Sequence, residues 1–133
     1  MSTNGAFTIS QTDKRPMYLQ IMEQVKQRVA VGDWEEGQSI PSIRQLAVDL
    51  EVSVITVKRA YLELEREGVI LTQQGKGSIV APTPGLGARL REQELNQYLE
   101  QAARLAAELG IRPKELEERL REAGDRTAEK EVL

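Results

Sequence analysis

Residues 40–80 read IPSIRQLAVDLEVSVITVKRAYLELEREGVILTQQGKGSIV. Ser42 followed three residues later by Gln45 is a capping box, in which hydroxyl and amide each satisfy a backbone N–H that the helix leaves free. A helix therefore opens there, with Ile43, Leu46, Ala47 and Leu50 as its buried stripe and Arg44, Gln45, Val48 and Asp49 outside. Glu51-Val52-Ser53 makes a tight turn. Ser53 caps the next helix, whose inner face is Val57, Ala60, Tyr61 and Leu64 and which stops at Gly68. Two helices so few residues apart must cross steeply and share a core, the helix-turn-helix arrangement. Past Gly68 the period turns extended through Val69–Gln73, then Gln74-Gly75-Lys76-Gly77, then Ser78-Ile79-Val80, which predicts a hairpin. The whole describes a winged helix-turn-helix. Its second helix is expected in a DNA major groove, and its hairpin on the flanking backbone or minor groove.

Outward from this core the pattern divides the chain. Residues 1–15 are polar and without sustained period, so a flexible N-terminal arm is expected, anchored only by Phe7 and Ile9. From Pro16, Leu19, Met22, Val25 and Val29 recur at helical steps, and Gly32 ends that helix. Trp34, the only tryptophan, lies in a turn-rich loop and reads as a core plug rather than a base-stacking platform. The DNA-binding domain is thus assigned to residues 16–81, with 82–85, Pro-Thr-Pro-Gly, as linker. Residues 86–123 are assigned to a helical dimerisation segment of two short helices. Gly110 stops the first, and Pro113 starts the second with Ile111 and Leu116 as a hydrophobic staple. Leu95, Tyr98, Leu99, Ala102, Leu105, Ala106, Leu109, Leu116 and Leu120 are too many apolar residues for two short helices to bury alone, which predicts a homodimer. Residues 124–133 are expected as a flexible tail. The fold class is mainly α with a small β-wing.

Composition removes whole classes of function. The 133 residues contain no Cys and no His, so thiolate metal sites, disulfides, and cysteine or histidine catalysis are out. Carboxylates alone do not make an active site here, since Glu117-Glu118 are neighbours on an exposed helix and Glu35-Glu36 are solvated loop charges. No enzyme activity, metal or cofactor is expected. Gly75-Lys76-Gly77 has neither the spacing nor the following helix of a phosphate-binding P-loop. Without a basic leader or an apolar run long enough for a bilayer, the expectation is a soluble cytoplasmic protein.

The net charge of −3 runs against nucleic-acid binding at first sight. Before Pro82 there are nine Lys/Arg against ten Asp/Glu, and from Pro82 onward nine against eleven, so neither half is basic. Placement decides, because affinity for DNA comes from cations that reach phosphates. Arg44, Lys58, Arg59 and Lys76 fall on the expected binding elements, and modest affinity with little non-specific binding is the consequence.

Four motifs in unbroken order over residues 16–81, namely Pro41–Ala47, Val52–Val57, Leu64–Ile70 and Gly75-Lys76-Gly77, resemble the GntR family of bacterial transcription regulators. The short helical C-terminal segment looks like its YtrA-type subfamily, in which such a tail is associated with dimerisation and whose members often control transporter operons. The resemblance implies DNA contacts at Arg44, Ser53, Thr56, Lys58, Gln74, Gly75 and Lys76. Arg59 is read either as a phosphate contact or as an ion pair with Glu63. The family's usual arginine after the turn serine is Val54 here, which beside Ile55 reads either as an apolar contact to thymine methyls or, with Ile55, as packing near the turn. Lys58, where relatives commonly carry arginine, lacks the bidentate fork. The expected function is a sequence-specific regulator of double-stranded DNA, a homodimeric repressor on an inverted repeat. The alternative is a winged-helix module for protein contact alone, its acidic surface holding a basic partner. No small-molecule effector is assigned.

Overall fold

Pro16, extended at φ −53° and ψ 142°, stands at the cap position just before α1 (Met17–Ala30) in the computed structural model. The structure describes residues 14–73, 75 and 77–132. The arm expected over residues 1–15 therefore falls outside the described residues except for Lys14 and Arg15. The buried face of α1 is Ile21, Met22, Val25 and Val29, while Leu19 is only partly covered. A two-residue strand β1 (Ser39–Ile40) follows, then α2 (Ile43–Leu50), α3 (Val54–Arg66), β2 (Ile70–Gln73) and β3 (Gly77–Val80). The last two helices are α4 (Leu86–Glu108) and α5 (Pro113–Val132).

The expected hairpin forms with Ile70 opposite Val80 and Gln73 opposite Gly77. It is one strand larger than the sequence reading allowed. Ser39 and Ile40 pair antiparallel with Ile79 and Ser78, giving the order β1-β3-β2 among the described residues. A hydrogen bond from Gly37 N–H to the Val80 carbonyl at 2.9 Å continues the attachment. The loop carrying Trp34 is thus stitched to the root of the wing.

α3 is the central element, packed against α1, α2 and β2. Val57, Ala60, Tyr61 and Leu64 are buried along its inner face as their spacing predicted, over Leu46 and Ala47 of α2. Burying a side chain of this size contributes about 1.5–3 kcal/mol, so this stripe alone fixes how α3 sits. The capping box at α2 is half made. Ser42 Oγ accepts the Gln45 N–H at 3.1 Å, but the Gln45 amide donates to Asp49 Oδ1 at 2.8 Å instead of reaching back. An acceptor one turn along the helix competes successfully for the same donor.

Tyr61 ties the two helices of the motif. Its ring is buried and its hydroxyl donates to the Pro41 carbonyl, just before the α2 cap, at 2.6 Å. Burial pushes the phenol well above its ordinary value. A raised folded-state value means that this contribution to stability is complete below about pH 10, the unfolded phenol's value, and declines as pH rises further. Tyr61→Phe is expected to cost about 1 kcal/mol at neutral pH by loss of one hydrogen bond. It should also flatten the alkaline limb of stability against pH; equal alkaline limbs for the two proteins in urea titrations would refute the assignment.

Two corrections concern the C-terminal third. The chain separates into two compact units between Arg91 and Glu92, not at the Pro82–Gly85 linker. Leu86 and Leu90, expected in the dimerisation segment, are buried in the core of the first unit. A helical stripe announces that a face is covered but not by what, and here the DNA-binding domain's own core covers it. Gly87 lies so close that a Cβ there would stand 3.1 Å from the Val29 carbonyl oxygen. The second correction is that α5 runs on to Val132, through most of the expected tail. Its Ala, Glu, Lys and Arg content favours helix, an Arg119–Glu115 pair at 3.0 Å braces one turn, and Gly124 alone does not stop it.

Candidate nucleic-acid interface

The first turn of α3 is organised by its cap. Ser53 is extended (φ −70°, ψ 149°), its Oγ accepts the Thr56 N–H at 3.1 Å, and the Ser53 and Thr56 hydroxyls lie 2.8 Å apart. One hydroxyl donates to the other, so of the pair's two O–H protons one stays available for an outside acceptor. The N–H groups of Val54 and Ile55, at the first two helical positions, have no acceptor within the helix, and the helix dipole adds positive potential there. This end of α3 is thus chemically equipped to meet phosphate oxygen.

Around it stands the rest of the expected set. Arg44 is exposed on the outer face of α2 with Val48 one turn along, and Lys58 and Arg59 are exposed on α3. Val54 is 47% exposed and Ile55 79% exposed, so packing near the turn does not account for Ile55. Apolar side chains exposed in this way at the start of a helix have the chemistry to contact thymine methyls. The turn that delivers them is made by Glu51, which takes the left-handed conformation (φ 55°) at the end of α2.

Gly75 and Gly77 both have positive φ, 79° and 77°. No neighbouring atom lies within 4 Å of a Cβ built at either position, so backbone conformation rather than space requires glycine. Gln74 and Lys76, the other expected wing contacts, lie outside the described residues.

Of the two readings of Arg59, the ion pair with Glu63 does not form. Glu63 Oε1 is taken by Arg66 Nη1 at 2.7 Å. Arg59 instead lies over the Tyr18 ring, its guanidinium carbon 4.1 Å from the ring centroid, with Nη2 3.3 Å from the Tyr18 hydroxyl. Sequence reasoning did not single out Tyr18, and no local signal pairs residues 41 positions apart.

Within the C-terminal unit, Leu95, Tyr98, Leu99, Ala102, Leu105, Leu109 and Leu120 are exposed and Leu116 is half-buried. Ala106 is different, since it is buried, and its carbonyl accepts the Ile111 N–H at 2.8 Å. Its side chain is thus withdrawn from the expected self-association surface.

Helix, turn, recognition helix and wing in this order, with the open face at the N-terminus of α3, define a winged helix-turn-helix module. A family profile described as bacterial regulatory proteins, gntR family, matches residues 17–80. YhcF of Bacillus subtilis (strain 168), an uncharacterized HTH-type transcriptional regulator, is 30% identical over 102 residues, 77% of this chain and 84% of that protein. The HTH-type transcriptional repressor YtrA of the same strain is 41% identical over 66 residues, 50% of this chain and 51% of YtrA, so the match spans about half of that repressor's length. Among solved structures, a GntR family transcriptional regulator from Listeria monocytogenes superposes with a TM-score of 0.73 at 29% identity, over 83% of this chain and 96% of that one. The chain belongs to the GntR family of bacterial regulatory proteins. It is a DNA-binding transcriptional regulator and not an enzyme. Among the described residues no helix is long and apolar enough to cross a membrane.

Proposed function

We propose that this regulator is a homodimeric repressor that occupies an inverted-repeat operator and so blocks transcription, with a transporter operon as the target the subfamily resemblance implies. Arg44 and Lys58 hold the backbone or guanine edges. Ser53 and Thr56 bind phosphate at the head of α3, Val54 and Ile55 read thymine methyls, and Gln74, Gly75 and Lys76 bring the wing to the flanking groove. Self-association runs through Leu95, Tyr98, Leu99, Ala102, Leu105, Leu109, Leu116 and Leu120, and the working compartment is the cytoplasm. The observation that carries this reading is the joint exposure of two apolar residues and a hydroxyl pair on the first turn of α3. Repressors among the relatives add support.

Selection of binding sites from random duplex DNA by the full chain is the test. It is expected to return an inverted repeat whose half-site centres lie about one helical turn, roughly 10 base pairs, or a multiple of it apart. Uracil in place of thymine at the positions facing Val54 and Ile55 should weaken binding by up to about 1 kcal/mol each. A selected motif without two-fold symmetry would overturn the dimer. Tolerance of uracil at every position would overturn the apolar readout.

A further inference from the structure

We propose that Tyr18 is a positioning residue for DNA binding, holding the Arg59 guanidinium as a clamp for a DNA phosphate on the α1 side of the recognition helix. The proposal rests on the reading above that the exposed face of α3 meets DNA. Arg59 lies four residues after Ile55, so the two share one face of α3, one turn apart. Ile55 is 79% exposed and Arg59 is exposed beside Lys58. The clamp therefore continues the face already assigned to the major groove, toward α1.

Tyr18 constrains the guanidinium in two ways at once. The ring holds the guanidinium carbon 4.1 Å from its centroid, and the hydroxyl accepts a hydrogen bond from Nη2 at 3.3 Å, so one contact carries the cation and the other directs it. The ring covers one side of the guanidinium and leaves its remaining N–H groups to donate. A guanidinium carries five N–H donors, and the Tyr18 hydroxyl engages one nitrogen, so a bidentate approach to a phosphate is still open. The carboxylate best placed to neutralise Arg59, Glu63 one turn along α3, is bound by Arg66 at 2.7 Å. Tyr18 itself is half-buried and packed against the domain core, so the platform does not move with solvent. An arginine side chain is otherwise among the most flexible, and holding it in place before DNA arrives removes part of the ordering penalty of binding.

A clamp and its positioner have different signatures in salt titrations. On a 24-base-pair duplex of random sequence, Arg59→Ala in the full chain should lower the slope of log affinity against log salt by about one unit, as expected for one phosphate contact. Tyr18→Leu keeps the cation, so the slope should hold while affinity falls about two- to fivefold, the size of an exposed cation–π contact. Tyr18→Phe, which keeps the ring and loses the hydroxyl, should show a smaller drop. Placed together, Tyr18→Leu should add nothing to Arg59→Ala. Thermal melts of each variant separate lost binding from lost folding, and Arg59→Ala, at an exposed position, tests the clamp even if Tyr18→Leu fails to fold. An unchanged slope for Arg59→Ala, or an undiminished Tyr18→Leu effect in the Arg59→Ala background, would overturn the clamp alone. Absence of salt-dependent duplex binding by the unaltered chain would instead overturn the DNA-facing reading of α3, and the clamp with it.

Discussion

A chain ending at Arg91 should stay folded, run as a monomer, and bind an inverted-repeat operator about 100-fold more weakly than the full chain, the lower range of what linking two readers contributes. A chain ending at Pro82 should behave differently. It also removes Leu86 and Leu90, both buried in the core of the first unit, and losing buried leucines costs about 2–5 kcal/mol each. The shorter chain is expected to melt far lower or not to fold, whereas the longer one retains its cooperative transition. Light scattering, thermal melts and operator titrations on the two chains separate the roles. A full chain that is monomeric at micromolar concentration, or an Arg91-terminated chain that binds as tightly as the full one, would refute the dimer.

Trp34→Ala should be among the most destabilising single substitutions, at about 3–5 kcal/mol, a large part of the 5–15 kcal/mol that holds a domain together. The side chain is 2% exposed, and the buried Arg28 places its guanidinium carbon 5.4 Å from the ring centroid. Desolvation lowers the Arg28 pKa, and Asp33 acts in the opposite sense. Truncating Trp34 therefore opens a cavity and takes the aromatic face from a cation with little water around it. Trp34→Phe keeps a ring at the site and should recover most of the loss. Circular dichroism is the proper readout, since the substitution removes the chain's single tryptophan fluorophore. A shift below about 1 kcal/mol for Trp34→Ala would show that the loop does not hold α1 to the wing root.

The parts of this molecule legible in its sequence are those set by local rules. Ser42 and Ser53 announce helix starts because capping is decided within three residues, and both caps form. The stripe Val57, Ala60, Tyr61 and Leu64 is readable because helical periodicity needs only one helix. Long-range choices were not readable. Ser39-Ile40 is too short to show a period, and pairing with Ile79 and Ser78 is what makes it a strand. Leu86 and Leu90 carry the same pattern as Leu95 and Leu99, yet the first two are buried in the core and the second two are exposed. The Tyr18–Arg59 stack joins helices whose sequences give no sign of each other. Charge composition also misled at the C-terminus, where a stretch that reads as a solvated tail is long helix.

The ion pairs scattered over the first unit are expected to shorten the time the chain spends on the wrong DNA. Arg15 is joined to Glu23, Lys26 to Glu67 at 2.5 Å, and Arg66 to Glu63 at 2.7 Å. Each cation tied up in this way pulls less on a passing phosphate, while Arg44 and Lys58 face outward at the reading surface. A regulator must find its site among some 10⁶–10⁹ competing positions, and each stop along the way lasts longer the more cations grip a random backbone. With several of its positive charges occupied at home, this chain is expected to make shorter stops on random DNA, and on the proposed reading its search proceeds by brief touches until a matched operator detains it.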